Sequence, residues 1–280
     1  MNKNSKLPNP PSMEGKKTAK SVSGTMEWAT ININFINGCA HDCKYCYAKA
    51  NAVRFKRKTR DNWKQEEVRF DKLVPTVKPK DGYTMFLSSH DISLENHKHA
   101  LTVLDVLLNK GHRVMIVTKP HLEVVEAICN QFGDYKEKIL FRVTIGSVDS
   151  VALRFWEPNA PSFEERLASL KHAHSMGFKT SVSCEPALDT NIIELAETVM
   201  PYVSDAVWLG KANRLKNIIK LNCGDDVVTQ KAAEQLEKSQ TDEWAWGLYK
   251  HFKDNPQIKW KDSMKKVLGL HRPSEMGLDI

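Results

Sequence analysis

Apolar runs of eighteen residues or more are absent from this chain, so no stretch of it reads as a membrane-spanning helix. The opening residues, MNKNSKLPNPPSMEGKKTAKSVSG, also lack the apolar core of a secretory signal and predict a cytoplasmic protein. Cysteine is scarce. Six in 280 residues do not make a disulfide framework, and a reducing compartment leaves such thiols free for metal. No internal repeat is present, and the N-terminal stretch is the one biased segment. A net excess of positive charge is missing from most of the chain as well. The net charge is +7, yet residues 1–24 contribute +4 and residues 49–64 contribute +6, so the remainder is slightly acidic.

What is present describes a globular protein. A hydrophobic content of 41% with 27% charged residues is enough to bury a core. Short apolar, β-rich runs at 30–36, 83–88, 113–118, 139–145, 178–184 and 206–210 alternate with helical patterns, the second of which ends at the stop signal Gly111. Strict alternation requires parallel strands with right-handed crossovers, and continuous apolar strands are those covered on both faces. The expectation is an α/β fold of six strand–helix units, either doubly wound or barrel-like. Residues 1–24 form a polar, lysine-rich arm, 25–222 the α/β domain, and 223–280 a helical C-terminal extension that caps it.

Half of the cysteines sit in "NGCAHDCKYCYAK", where Cys39, Cys43 and Cys46 fall within eight residues directly after the first strand. A structural zinc wants four tetrahedral ligands, and His41 between two of the thiols is a cramped fourth. A 4Fe–4S cluster also wants four ligands, and three thiolates leave one iron open for a small molecule. Near this loop, Lys49, Lys56, Arg60 and Lys64 fall on one stripe if 49–64 is helical, giving either a solvated face or a phosphate-facing one.

The pattern Cys39-x3-Cys43-x-Tyr45-Cys46 resembles the signature of the radical SAM superfamily. Within it, "FLSSHDIS" (86–93), "MIVTKP" (115–120), "FRVTIGSVD" (141–149), "FWEPNAPSFEERLASL" (155–170) and "GFKTSVSCEPALD" (177–189) resemble segments of the spore photoproduct lyase branch. The resemblance implies a partial (β/α)6 barrel of TIM type. It also implies a 4Fe–4S cluster on Cys39, Cys43 and Cys46, with S-adenosyl-L-methionine chelated by the open iron. Reductive cleavage of that cosubstrate would give a 5′-deoxyadenosyl radical, fed by an electron donor of flavodoxin or ferredoxin type. Tyr45 would sit against the adenine, Lys119 would pair with the cosubstrate carboxylate, and Ser89 and Thr144 match hydroxyl contacts of relatives. A lysine closing an apolar strand needs an anion in any case. Glu185, after the fifth strand, is a candidate polar contact. Asp91 either orients a ribose hydroxyl or caps the next helix, and Glu157 with Arg166 forms an internal pair.

The resemblance breaks at Ser88, where the lyase carries the cysteine that returns a hydrogen atom to the product radical. Cys184 is the candidate substitute donor. Three readings of function follow. The first is a radical SAM enzyme, lyase or transferase, acting on nucleic acid in DNA repair or modification. The second is the same chemistry on a protein, peptide or small molecule. The third is a non-catalytic zinc module that binds nucleic acid.

Overall fold

The computed structural model describes residues 22–278, so the basic arm expected at 1–24 lies almost wholly outside the described residues. In chain order the elements are β1 (Ala29–Ile33), β2 (Ile36–Asn37), α1 (Tyr47–Arg54), β3 (Glu67–Val68), β4 (Tyr83–Phe86), α2 (His97–Asn109), β5 (Val114–Thr118) and α3 (Leu122–Gln131). They continue as β6 (Ile139–Thr144), α4 (Ser150–Trp156), α5 (Phe163–Ser175), β7 (Lys179–Cys184), α6 (Ile192–Val199), β8 (Val207–Leu209) and α7 (Leu215–Cys223). The C-terminal part adds α8 (Val227–Ser239), α9 (Asp242–Phe252), β9 (Ile258–Trp260) and α10 (Asp262–Leu268). Local chemistry sets these boundaries. Ser162, Asp226 and Thr241 cap the N-termini of α5, α8 and α9 by accepting backbone N–H bonds, and Gly111 takes a φ of +88° just past α2.

Seven strands form one parallel sheet in the order β1-β4-β5-β6-β7-β8-β9, while β2 and β3 make a separate antiparallel pair. All six expected strand–helix units are present, and the sheet curls into an open half-barrel. The curl is visible in the packing: Trp28, beside β1, meets Trp208 of β8 with ring centroids 5.6 Å apart, although four strands lie between them. Met85, Met115 and Leu140 fill the concave face with these two tryptophans. The convex face packs against the helices in two larger cores, one under α2 and α3 and the other under α6, α9 and α10.

The extension at 223–280 is more than a helical cap, because β9 adds a seventh strand along the edge of β8. Three residues are too few to show a strand period, and β9 is ordered by the open edge it covers. Among the described residues, no helix is long and apolar enough to cross a membrane.

Candidate active site

The cysteine loop leaves the sheet at the C-terminal ends of the strands, where parallel α/β folds bind their ligands. At its base the β2–β3 pair holds Asn37 against Glu67, and Cys39 N–H donates to Trp63 O at 3.0 Å. The approach is so close that a Cβ on Gly38 (φ +111°) would lie 2.5 Å from Gln65 O and 2.7 Å from Trp63 O. Glycine is required there. On the far side Asn222 of α7 donates to the carbonyls of Lys44 and Cys46, and Lys44 N–H donates to Trp156 O. The loop is therefore pinned from both sides before any metal enters.

Cys39 and Cys43 are each 5% exposed, and Cys46 is half-buried at the N-terminus of α1, where its sulfur accepts from Lys49 N–H at 3.4 Å. Burial pushes all three thiols above their ordinary range, and the carboxylate of Asp91 pushes Cys39 further. Thiolates in such a place need a cation to compensate their charge. Among the described residues, one set of three donors gathers within 4.8 Å, and it is Cys39, His41 and Asp91 rather than the three cysteines. A tetrahedral zinc with bonds of about 2.3 Å would need its sulfurs about 3.8 Å apart. At least one pair of the three thiols lies farther apart than 4.8 Å, wider than a single tetrahedral ion allows. Asp91 is an unsuitable zinc ligand too, because it already serves a lysine.

That lysine is Lys119, directly after β5. Asp91 Oδ1 accepts from Lys119 N–H at 2.7 Å and from Thr118 Oγ1 at 3.1 Å, while Oδ2 stands 3.4 Å from Lys119 Nζ and 3.0 Å from His41 Nδ1. Burial would raise the Asp91 carboxyl, but Lys119 and His41 outweigh it and hold the group well below the usual carboxylate range. Burial would likewise lower Lys119, but the charges of Asp91, Cys43, Tyr45 and Glu157 together outweigh it and hold the ammonium well above its ordinary value. Asp91 therefore positions the lysine; Asn96, not Asp91, stands at the start of α2. An ammonium has three donors, and Asp91 takes one. His41 Nε2 finds no partner among the described residues.

Tyr45 donates its hydroxyl to Glu157, which also accepts from fully buried Arg166, so the expected internal pair includes the tyrosine. Of these groups Tyr45, Asp91 and Lys119 border a cavity of about 530 Å³, an ordinary size for a small-molecule site, and Glu157, Arg166 and His41 stand behind them. The three cysteines, Tyr45, Ser89, Lys119, Thr144 and Glu185 all line it, so the expected ligand contacts are brought to one place. Ser88 lines it as well, with its Oγ accepting from Asn34 Nδ2 at 2.8 Å.

Two expectations are corrected. Cys184 is fully buried with Val143, Val182 and Leu195 on the helix side of the sheet, while its neighbour Ser183 faces the cavity. Strand alternation thus removes Cys184 from the role of hydrogen donor. The basic stripe also dissolves. Helix α1 stops at Arg54, and Lys56 takes a φ of 54°, with Arg57 N–H reaching back to Ala52 O. Lys49 is buried against Asp42 at 2.6 Å, and Arg60 donates to the carbonyls of Lys220 and Leu221. Lys56 and Lys64 remain exposed, but no helix aligns the four.

Sequence reading missed the opposite wall of the cavity. Lys261, 1% exposed, lies 2.8 Å from Glu27 and 3.4 Å from Glu185, with its ammonium 3.8 Å from the Trp28 ring centroid. Burial raises Glu185, Lys261 opposes that, and Glu27 adds to it. No motif announces this cluster, because its members come together only when the half-barrel closes.

The family model described as "Radical SAM superfamily" matches residues 33–199. A spore photoproduct lyase mutant with a dinucleoside spore photoproduct superimposes with a TM-score of 0.54 at 15% identity, covering 88% of this chain and 79% of that one. SuiB of Streptococcus suis bound to S-adenosylmethionine gives 0.50 at 12% identity, covering 89% and 54%. "Uncharacterized protein ORF301" of Acidianus two-tailed virus is 25% identical over 195 residues, 64% of this chain, and the alignment spans 63% of that relative. The two solved structures share the fold. The family match takes in the cysteine loop and the strands from β4 to β7, more than half of the chain, and on that ground this protein belongs to the radical SAM superfamily.

Proposed function

We propose that Cys39, Cys43 and Cys46 hold a 4Fe–4S cluster and that the cavity beside them takes S-adenosylmethionine. When bound, the cluster supplies the electron that splits the cosubstrate into methionine and a 5′-deoxyadenosyl radical, which removes a hydrogen atom from the substrate. The observation that carries this reading is that two buried thiols and one half-buried thiol, the Asp91-held ammonium of Lys119 and the hydroxyls of Ser89 and Thr144 all line one cavity. Lys119 offers two spare N–H donors to a carboxylate, Tyr45 offers a ring at the cavity wall, and burial keeps water from the reacting atoms. The reductant is a flavodoxin- or ferredoxin-type protein.

The substrate in this proposal is nucleic acid, in a repair or modification reaction of lyase or transferase type. Support comes from the branch resemblance and from exposed Arg54, Lys56, Arg57 and Lys64 beyond the cysteine loop. One fold relative is described with a dinucleoside photoproduct and another with a precursor peptide, so the fold admits either class. A second reading, a peptide or small-molecule substrate, is favoured by Ser88 and the burial of Cys184, which leave the lyase's thiol step without its sulfur. The deciding experiment incubates reconstituted protein anaerobically with dithionite, S-adenosylmethionine and deuterated candidate substrates. Deuterium in 5′-deoxyadenosine from nucleic acid alone supports the proposal. Label from a peptide or metabolite instead overturns the substrate class, and no cleavage at all overturns the cofactor reading.

A further inference from the structure

The exposed face of α1 leads away from the cavity rim. Tyr47, 49% exposed, lines the cavity and donates its hydroxyl to Ser88 O. Asn51, Arg54 and Phe55 follow at four, seven and eight residues, the spacing of one helix face, and all three are exposed. The face ends about 12 Å from Tyr47, at a rise of about 1.5 Å per residue. There Lys56 in its left-handed conformation turns the chain and displays four consecutive residues, Arg54-Phe55-Lys56-Arg57.

Phe55 is 62% exposed, and two guanidinium groups lie near its ring, Arg54 at 5.5 Å and Arg57 at 5.8 Å from the centroid. A large aromatic is costly to leave in water, and here it is ringed by cations. Among the described residues, no carboxylate lies within ion-pair distance of Arg54, Lys56 or Arg57, whereas nearby Lys49 and Lys58 are neutralised by Asp42 and Glu67. Asp42 and Glu67 are spent on the buried lysines and Glu66 on Ala40 N–H, Ser93 and Asn96, and the exposed cations keep their charge.

An aromatic face among unneutralised arginines is suited to a planar anion-bearing polymer, with a base on the ring and phosphates on the guanidiniums. Its distance from the rim is one that a few nucleotides of extended strand cover. The thiols lie within the cavity, where a base still stacked in a duplex does not reach. We infer that Phe55, flanked by Arg54, Lys56 and Arg57, is a stacking platform for a base of single-stranded nucleic acid a few nucleotides from the one held in the cavity. This inference rests on the nucleic-acid reading above and adds to it the strand state and the contact.

The test uses the reconstituted full chain and fluorescein-labelled oligonucleotides of about a dozen bases, single-stranded and duplex, followed by anisotropy at several salt concentrations. Wild type is expected to prefer the single strand. Phe55→Ala should weaken single-strand binding by about 5- to 150-fold, the range for loss of one stacked base. Phe55→Trp should retain it and gain a tryptophan emission that the oligonucleotide quenches. Arg57→Ala should lower the slope of log affinity against log salt by about 1. Cleavage of S-adenosylmethionine without substrate should be unchanged in all three, which verifies folding. Equal single-strand affinity in wild type and Phe55→Ala overturns the platform while leaving the nucleic-acid reading intact. Failure of wild type to bind any oligonucleotide, or equal displacement by polyglutamate, overturns both.

Discussion

Two buried charge clusters line the same cavity, and they differ in what they leave unfinished. At the cysteine end Asp91, Lys119 and His41 form a network with spare capacity: among the described residues, two ammonium donors lack an assigned acceptor and the imidazole Nε2 lacks a partner. At the opposite wall the Lys261 ammonium is saturated by Glu27, Glu185, the Gly24 carbonyl and the face of Trp28, and the atoms left without a partner among the described residues are Glu27 Oε2 and Trp28 Nε1. The saturated cluster ties the segment before β1 to the residues after β7 and β9, and so closes the open side of the half-barrel. The unsaturated one is ready for ligand. Buried charges cost free energy unless satisfied, so the spare donors of the Lys119 ammonium, which Lys261 lacks, mark where an anionic ligand would compensate that cost.

Substitutions at the cysteine end should separate function from stability most sharply. Cys39→Ala, Cys43→Ala and Cys46→Ala are each expected to abolish the iron–sulfur absorption and all production of 5′-deoxyadenosine in anaerobic assays. At the closed wall the effects should reverse. Lys261→Met strands the buried carboxylate of Glu27 beside half-buried Glu185 and should cost roughly 3–5 kcal/mol in urea unfolding. The double change Glu27→Leu/Lys261→Met should recover much of it, and if it does not, the wall is more than a tether.

A titration sharpens the contrast further. His90 Nε2 accepts from the backbone N–H groups of Phe35 and Ile36, and burial lowers its pKa to about 4, with Asp91 opposing. The unfolded chain takes up this proton below about 6.5 while the native state refuses it. Stability should therefore be full above pH 6.5 and fall by up to roughly 3 kcal/mol as pH drops to 4, before levelling. His90→Gln should flatten that slope in pH-dependent denaturation.

Lys119→Met should leave the cluster spectrum unchanged and weaken S-adenosylmethionine binding about tenfold to a hundredfold by calorimetry, the loss of one charge-assisted contact. The smallest effect is expected at Cys184→Ala, about 1 kcal/mol of stability with turnover retained. Lost turnover there would contradict the placement of Cys184 behind the sheet.

Legibility in the sequence follows the same division. The cysteine loop, Lys119, Ser89 and Thr144 were readable because each ends or closely follows an apolar strand, and buried parallel strands announce themselves by composition. Trp28, Glu27 and Lys261 were not, since more than two hundred residues separate partners whose contact exists only once the sheet has curled. The end of α1 was hidden for a local reason. Its left-handed residue is Lys56 where a glycine would have signalled the stop, so a helical period read on through Lys64. Strand β9 was too short to carry a period at all.

Anaerobic reconstitution followed by electron paramagnetic resonance, with and without S-adenosylmethionine, bears most directly on the three-thiol site. The reduced protein is predicted to give the spectrum of a 4Fe–4S cluster that shifts when S-adenosylmethionine is added and shifts far less in Lys119→Met. A colourless protein holding one zinc, or an iron–sulfur spectrum indifferent to S-adenosylmethionine, would contradict it.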